Sequence, residues 1–579
     1  MTRILLTLTL LLAAIGSTAQ DNKKYQGLLW EISGNGLSKP SYLYGTMHVS
    51  EKLAFHLSDT FFIALKNVDL VALELDPGKW MEETLEMDNA FEQKEYVTSA
   101  RSASGYYSSA FKPFFPEKNE LMRLLRSKPR IINNMLYRSN EAYDEFEEDT
   151  YLDLFIYQTG KKLGKNVIGL EDFMVSRKLV DKAYQGEDDE DDENYKNQKE
   201  RNRILIRQME KVKSMREYQE DSYRNGDLDM LDSIYRLTNP GTVFLRYMLW
   251  ERNVIMANQM DSIMKKQTLF TGVGAAHLPG EKGVIELLRS KGYKVRPIVY
   301  TNINGDKRRT EIEKMKFPVT FKTRFPEDSA FSCEVPGELF RTLDRPGKIE
   351  YLYNDMSNGS YYHIQRLAYL GKLDGKDQQH TLKRLDSLLY ENIPGKIQSK
   401  KEIKASNGYS GWDIVNKTRR GDLQRYQILV GPLEIFVFKM SGPNEYISGK
   451  EGDQFFNSIK WKSVDLSARS VYSPKAGGFT IMMPAVRVIN RAYALRSGIL
   501  RHAISASDEN GDLYFMFHSQ VNDFRYIEED TFELNYLSEV FAEELKAKIT
   551  RRSLVGPTEL HFSIRKEERN IRLDRKSVV

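Results

Sequence analysis

The chain reads as an α/β amino-terminal domain, a mainly parallel sheet with covering helices, followed by α+β antiparallel repeat modules. Three observations predict this. From Trp30 to about Tyr300, short apolar runs alternate with amphipathic stretches, the pattern of strands interleaved with helices. Beyond the charged stretch Lys307 to Lys316, composition shifts to aromatic-rich period-two runs, the pattern of antiparallel hairpins. Two tetrapeptides, Gly45-Thr-Met-His48 and Gly274-Ala-Ala-His277, each follow a short apolar run, which places them at strand ends, where open α/β sheets bind ligands.

Residues 1–19 have the form of a secretory leader. Arg3 precedes an apolar stretch from Ile4 to Ile15, and small residues Gly16 to Ala19 stand before Gln20, so cleavage is expected near Ala19 and the mature protein is expected to be secreted or periplasmic. That apolar stretch is too short to span a bilayer comfortably, and no later segment reads as transmembrane. Cys333 is the only cysteine, so no intramolecular disulfide can form. With 41% apolar and 11% aromatic residues in 579, the chain can bury several cores. The formal net charge of +4, with basic residues spread throughout, gives no electrostatic case for nucleic acid. The expected division is residues 24–305, then module 317–463, then module 470–579.

Within the first domain, Ser41 to Tyr44 reads as a strand and Leu57 to Lys66 as a helix. Val68 to Leu75 is an apolar strand running into Glu74-Leu-Asp76-Pro77. A largely helical stretch follows, with Leu121 to Leu125 and Tyr151 to Ile156. Lys165 to Gly169 is a strand that delivers Leu170-Glu171-Asp172 into the next turn. The run Glu187 to Glu193 lacks apolar residues and reads as a solvated loop. Phe244, Met248, Ile255 and Met256 fit one buried face of a helix carrying Arg252-Asn253. Leu269 to Val273 is a strand, and Val284 to Leu288 a helix.

His48, Glu74 with Asp76, Glu171 and His277 therefore each fall at the carboxyl end of a separate expected strand. Two imidazoles and two or three carboxylates at one sheet edge form a first coordination shell for a divalent metal. The mixed nitrogen and oxygen set suits manganese, cobalt, iron or zinc better than calcium. Gly45 and Gly274 would let the backbone turn sharply beside each imidazole. The alternative is that Glu74 and Glu171 cap the helices that follow. Arg252 would either orient a carboxylate or substrate through its planar fork or stand as a surface charge. Neither His-Glu-x-x-His nor Gly-x-Ser-x-Gly occurs, and Gly408-Tyr-Ser-Gly411 falls one residue short of the latter, which disfavours a serine hydrolase.

On Tyr44-Gly-Thr-Met-His48, Glu74-Leu-Asp76, Gly169-Leu-Glu171, Arg252-Asn253 and Gly274-Ala-Ala-His277-Leu-Pro-Gly280, followed by Gly292-Tyr293 and Val295, the stretch from Trp30 to Pro297 resembles the TraB/PrgY/GumN family, which includes the animal Tiki proteins. The resemblance implies a fold related to the erythromycin-esterase and ChaN-like group. For the Tiki branch it implies metal-dependent proteolysis with manganese or cobalt. Carried onto this chain, His48 and His277 are metal ligands, Glu171 a third, Glu74 a ligand or general base, and Arg252 a substrate or transition-state contact. The expected activity is that of an exported metallohydrolase cleaving a peptide or protein substrate. The alternative is a non-catalytic protein that sequesters a signalling peptide or cell-envelope ligand in the same pocket.

In the second half, Tyr351 to Tyr353, Tyr361 to Ile364, Tyr426 to Val430 and Leu433 to Phe438 read as strands, with a hairpin at Asn358-Gly359. Thr381 to Tyr390 and Gln454 to Ile459 read as helices. The pattern recurs: Phe331 to Pro336 aligns with Phe479 to Pro484, Asn358-Gly359 with Asn510-Gly511, and the helix near Leu382 with one near Leu534. The first copy closes with two long strands and a helix through Phe455 to Trp461, for which no counterpart follows Ile564, so the chain is expected to stop within a module. His363, His380, His502, His518 and His561 are scattered without paired glycines or acidic partners and are expected to be ordinary sheet or surface histidines. The modules are expected to bind protein or glycan.

Overall fold

The computed structural model describes residues 24–47, 57–92, 118–126, 151–186, 193–239, 241–298, 304–345, 348–368, 378–419, 421–431, 433–462, 465, 467–473, 480–485, 487–490, 500–508, 510, 512–520, 530–556, 559–566 and 569–576. The leader, His48, most of the acidic run (187–192), Phe479 and Gly511 lie outside these residues. The chain divides into two compact units. One takes residues 1–83 and 132–317, the other residues 84–131 and 318–579.

The first unit is a mixed α/β domain on a six-stranded sheet. Its strands are β1 (Leu29–Gly34), β2 (Ser41–Thr46), β3 (Leu70–Leu73), β4 (Asn166–Gly169), β5 (Leu269–Gly274) and β6 (Tyr293–Pro297), in spatial order β4-β3-β5-β2-β1-β6. The four strands β4, β3, β5 and β2 run parallel. β1 pairs antiparallel with both β2 and β6, so the sheet is mostly but not wholly parallel. Leu70-Val-Ala-Leu73 is buried at every position, as a parallel strand covered on both faces must be. Gly272 is closely packed: a Cβ there would lie 3.0 Å from side-chain methyls of both Ile156 and Leu73, tighter than ordinary contact. The helix Leu152–Lys162 thereby seats close on β5 and β3. Helix Asp59–Asn67 starts where the Ser58 hydroxyl accepts the Phe61 amide, an N-cap.

The second unit carries later, antiparallel sheets. Seven strands, β9 (Phe340–Arg345), β10 (Lys348–Asp355), β11 (Ser360–Ala368), β12 (Lys396–Lys404), β13 (Ser410–Lys417), β14 (Leu423–Val430) and β15 (Glu434–Gly442), lie in the order β12-β13-β14-β15-β11-β10-β9. Before them β7 (Lys322–Arg324) pairs with β8 (Phe331–Val335). One face packs Trp412, Ile414, Ile428 and Val437 against helix Gln378–Asn392 and against Leu121, Leu124 and Leu125 of helix Lys118–Arg126. The other buries Phe331, Tyr362, Phe436, Phe438 and Phe455, with Trp461 partly buried against them. Cys333 is buried in that second cluster with its thiol free. His363 differs from the sequence expectation of no acidic partner: it is fully buried on β11, 3.6 Å from Glu350. His561 likewise has Glu559 at 2.7 Å. Glu350 reaches His363 diagonally across the β10–β11 ladder, where Leu352 stands opposite His363, a contact made only by folding. Glu559, by contrast, lies two residues from His561 on one strand face, a local signal the sequence reading passed over.

Candidate functional site

The polar cluster begins with backbone register. Thr46 at the end of β2 stands opposite Gly274 at the end of β5, which brings the start of the first motif alongside the start of the second. Leu73 is opposite both Gly169 and Gly272. Beyond the ladder the pairing continues, the Glu171 amide donating to the Glu74 carbonyl at 2.9 Å. Glu74 and Glu171, 97 positions apart in the sequence, thus leave the sheet as hydrogen-bonded neighbours.

Arg252 joins them. It enters from a π-helical turn, Arg246–Trp250, in which the Glu251 amide bonds the Arg246 carbonyl five residues back; such turns recur at functional sites. Its Nε donates to both Glu171 oxygens at 3.0 and 3.1 Å, and its Nη2 donates to Glu171 Oε2 at 2.6 Å and Glu74 Oε2 at 2.7 Å. The Glu171 side chain is wholly buried and that of Arg252 is 8% exposed, so Arg252 is not a surface charge. Burial works against the guanidinium charge, but the facing carboxylates outweigh it and raise its pKa. Burial pushes the Glu171 carboxyl above its ordinary value, with Arg252 opposing.

His277 completes the group. Its Nε2 lies 3.7 Å from Glu74 Oε1, and its Nδ1 lies 2.6 Å from Asn253 Oδ1. Glu74 Oε1 also accepts the Gly274 amide at 2.7 Å, so the motif glycine is a donor as well as a turn. Capping falls to a different residue: Asp172 accepts the Val175 amide and starts helix Phe173–Gln185, whereas Glu74 and Glu171 turn to Arg252. Asp76 accepts the Gly78 amide in its own turn. Glu74, Glu171, Arg252 and His277 are thus together, and His48, outside the described residues, follows Thr46 by two positions.

Several residues here were missed by sequence reasoning. The Tyr223 hydroxyl donates to the Gly45 carbonyl at 3.0 Å, and the Thr46 hydroxyl donates to buried Asp153 at 2.8 Å, fixing the root of the first loop. The signal for Asp153 was an acid inside the apolar run Leu152 to Ile156. Tyr235 lies in the electrostatic field of Arg252 and Glu74, and burial pushes its hydroxyl up to about 12. Asn253 is 2% exposed, and its adjacency to Arg252 was its only mark.

Among the described residues, no group of three or more His, Cys, Asp or Glu is placed to hold a metal ion, and no helix is long and apolar enough to cross a membrane. Residues 28–297 match the model of the TraB/PrgY/gumN family. No curated protein matches the chain.

Proposed function

Because that amino-terminal stretch belongs to the TraB/PrgY/gumN family, we propose that its carboxyl-edge cluster is a divalent-metal-dependent hydrolytic centre acting on peptides or proteins. The observation that carries the reading is the Glu74 carboxylate, one oxygen facing His277 Nε2 at 3.7 Å and the other tied to Arg252 at 2.7 Å. An imidazole nitrogen and a carboxylate oxygen at that separation suit one shared cation, whose bonds to such atoms run to about 2.0–2.2 Å. His48 is the second nitrogen in this reading, and Glu171 the further carboxylate. Manganese or cobalt is the proposed ion, with zinc or iron also compatible with the donor set.

A cation held there would supply an activated water and a polarised carbonyl. The protein's own part is positional and basic. Glu74 serves either as a ligand or as the general base that takes the proton, and Arg252 Nη2 and the Gly274 amide hold its carboxylate in place. Glu171 clamps Arg252, which leaves Glu74 as the carboxylate nearer the imidazole.

The same reading takes the sheet as ChaN-like, residues 1–19 as a leader for export, and the later sheets as two copies of one module that engages substrate. In support, each half sets a 15-residue helix, Gln378–Asn392 or Asp530–Glu544, between two groups of antiparallel strands.

Cleavage of a peptide library by the purified protein with manganese, cobalt or zinc tests the proposal. Metal-dependent turnover, lost in a His48→Ala/His277→Ala double variant, is expected. Peptide binding without turnover would favour sequestration instead.

A further inference from the structure

Asn253 immediately follows Arg252, yet the two side chains serve different partners. Arg252 reaches the carboxylates, while Asn253 stands between His277 and the loop that follows it. Asn253 Nδ2 donates to the Lys282 carbonyl at 2.8 Å, and Oδ1 meets His277 Nδ1 at 2.6 Å. The Lys282 ammonium lies 3.7 Å from the Trp250 ring centre, which anchors that loop to the same helix.

These contacts fix the amide orientation. Turned over, the Asn253 oxygen would face the Lys282 carbonyl, two acceptors with no proton between them. With Oδ1 toward the ring, a short contact between buried groups requires the proton on Nδ1, because an oxygen acceptor opposite a bare nitrogen would leave both unsatisfied. The other ring nitrogen, Nε2, faces Glu74. A ring held with one N–H on a second partner presents its remaining lone pair in a fixed direction.

We propose that Asn253 is the positioning residue that locks His277 in its Nδ1–H tautomer, so that Nε2 is its basic, cation-binding atom. The inference rests on the hydrolytic reading for its purpose but not for its geometry. Uniformly 15N-histidine-labelled full-length protein, stripped of metal and held above the imidazole titration range, reports the tautomer through ring 15N shifts, with His277 assigned by the signal lost in His277→Gln.

The expected result is Nδ1–H in the wild type. Asn253→Asp, which keeps an acceptor oxygen in place, should retain it. Asn253→Leu should shift the ring to Nε2–H and weaken manganese binding by roughly 10–100-fold. An Nε2–H ring in the wild type or in Asn253→Asp overturns the proposal, as does Nδ1–H persisting in Asn253→Leu. The Asp variant keeps the test open should the leucine variant fail to fold. A wild type that shows Nδ1–H but neither binds metal nor cleaves peptide would refute the hydrolytic reading while leaving the role of Asn253 intact.

Discussion

Gly45 of the first motif abuts Ala275 of the second: a Cβ added to Gly45 would lie 3.3 Å from the Ala275 Cα and Cβ, and as close to Leu278 Cδ2. The Gly45 end of β2 is therefore packed against the turn that carries His277. Gly45→Ala asks its neighbours to give by a few tenths of an ångström and should be mild. Gly45→Val adds branches into the same contact and should cost about 1–3 kcal/mol, the range for overpacking, while weakening metal uptake. Urea denaturation and metal titration check this, and an unchanged midpoint for the valine variant would argue against the contact.

Removing Arg252 isolates the carboxylate it holds. Arg252→Met leaves Glu171 buried without a counter-charge, and loss of one partner in such a pair costs about 3–5 kcal/mol. Arg252→Lys keeps the charge but loses the planar fork, so it should recover only part. The penalty should depend on pH. Burial raises the Glu171 carboxyl above its ordinary value, so that group's contribution to stability is full below the ordinary glutamate range and is lost as pH rises through the raised value. Without Arg252 the loss deepens, so the methionine variant should be most impaired at neutral pH and partly recover in acid. Adding Glu171→Gln should flatten that dependence, and denaturation across the acid range would show whether it does.

How much of this was legible in sequence follows from which forces are local. The strands Ser41–Thr46, Leu70–Leu73, Asn166–Gly169 and Leu269–Gly274 were readable because an apolar run bounded by turn residues is a local signal. The strand-end placement of Glu74, Glu171 and His277 followed from that. The antiparallel edge made by β1 and β6 was not readable, since pairing partners more than 250 residues apart in sequence (Trp30 with Pro297) leave no mark in either strand. The capping alternative for Glu171 was off by one residue: Asp172 is the cap, and short polar side chains fill that role best. Arg252 looked equally suited to surface or core, because only its long-range contacts with Glu74 and Glu171 make its burial tolerable. Helix Lys118–Arg126 shows an apolar face, but nothing local tells which sheet receives it.

Cys333 supplies an internal probe of the second unit. Burial pushes its thiol up to about 12, Glu334 adding to the effect, so the unreactive protonated form persists where a free thiol, at about 8.5, has begun to ionise. Its contribution to stability is present below the unfolded value and lost as pH climbs from there toward about 12. An aromatic disulfide reagent at pH 8 should leave the native protein unmodified and label one thiol in guanidinium. Rapid labelling of the folded protein would contradict the burial.

Gly169 provides the sharpest steric test of the site. A Cβ there would come 2.7 Å from the Asp76 amide nitrogen and 3.1 Å from the Leu75 carbonyl carbon, both backbone atoms in the segment that carries Glu74. Side chains can swing away, but this backbone is tied to Leu170 and Glu171 by the Leu73 and Glu74 carbonyls, so relief requires the two strand ends to part. Gly169→Ala should therefore cost more than its one methyl suggests, roughly 1–3 kcal/mol as for other overpacked sites. Because the separation falls between Glu74 and Glu171, it should also loosen Arg252, which bridges them. In a double-mutant cycle, Gly169→Ala and Arg252→Met should be sub-additive, since the first already weakens what the second removes. Strict additivity of their destabilisation would show that the strand ends are free to move without disturbing the carboxylates.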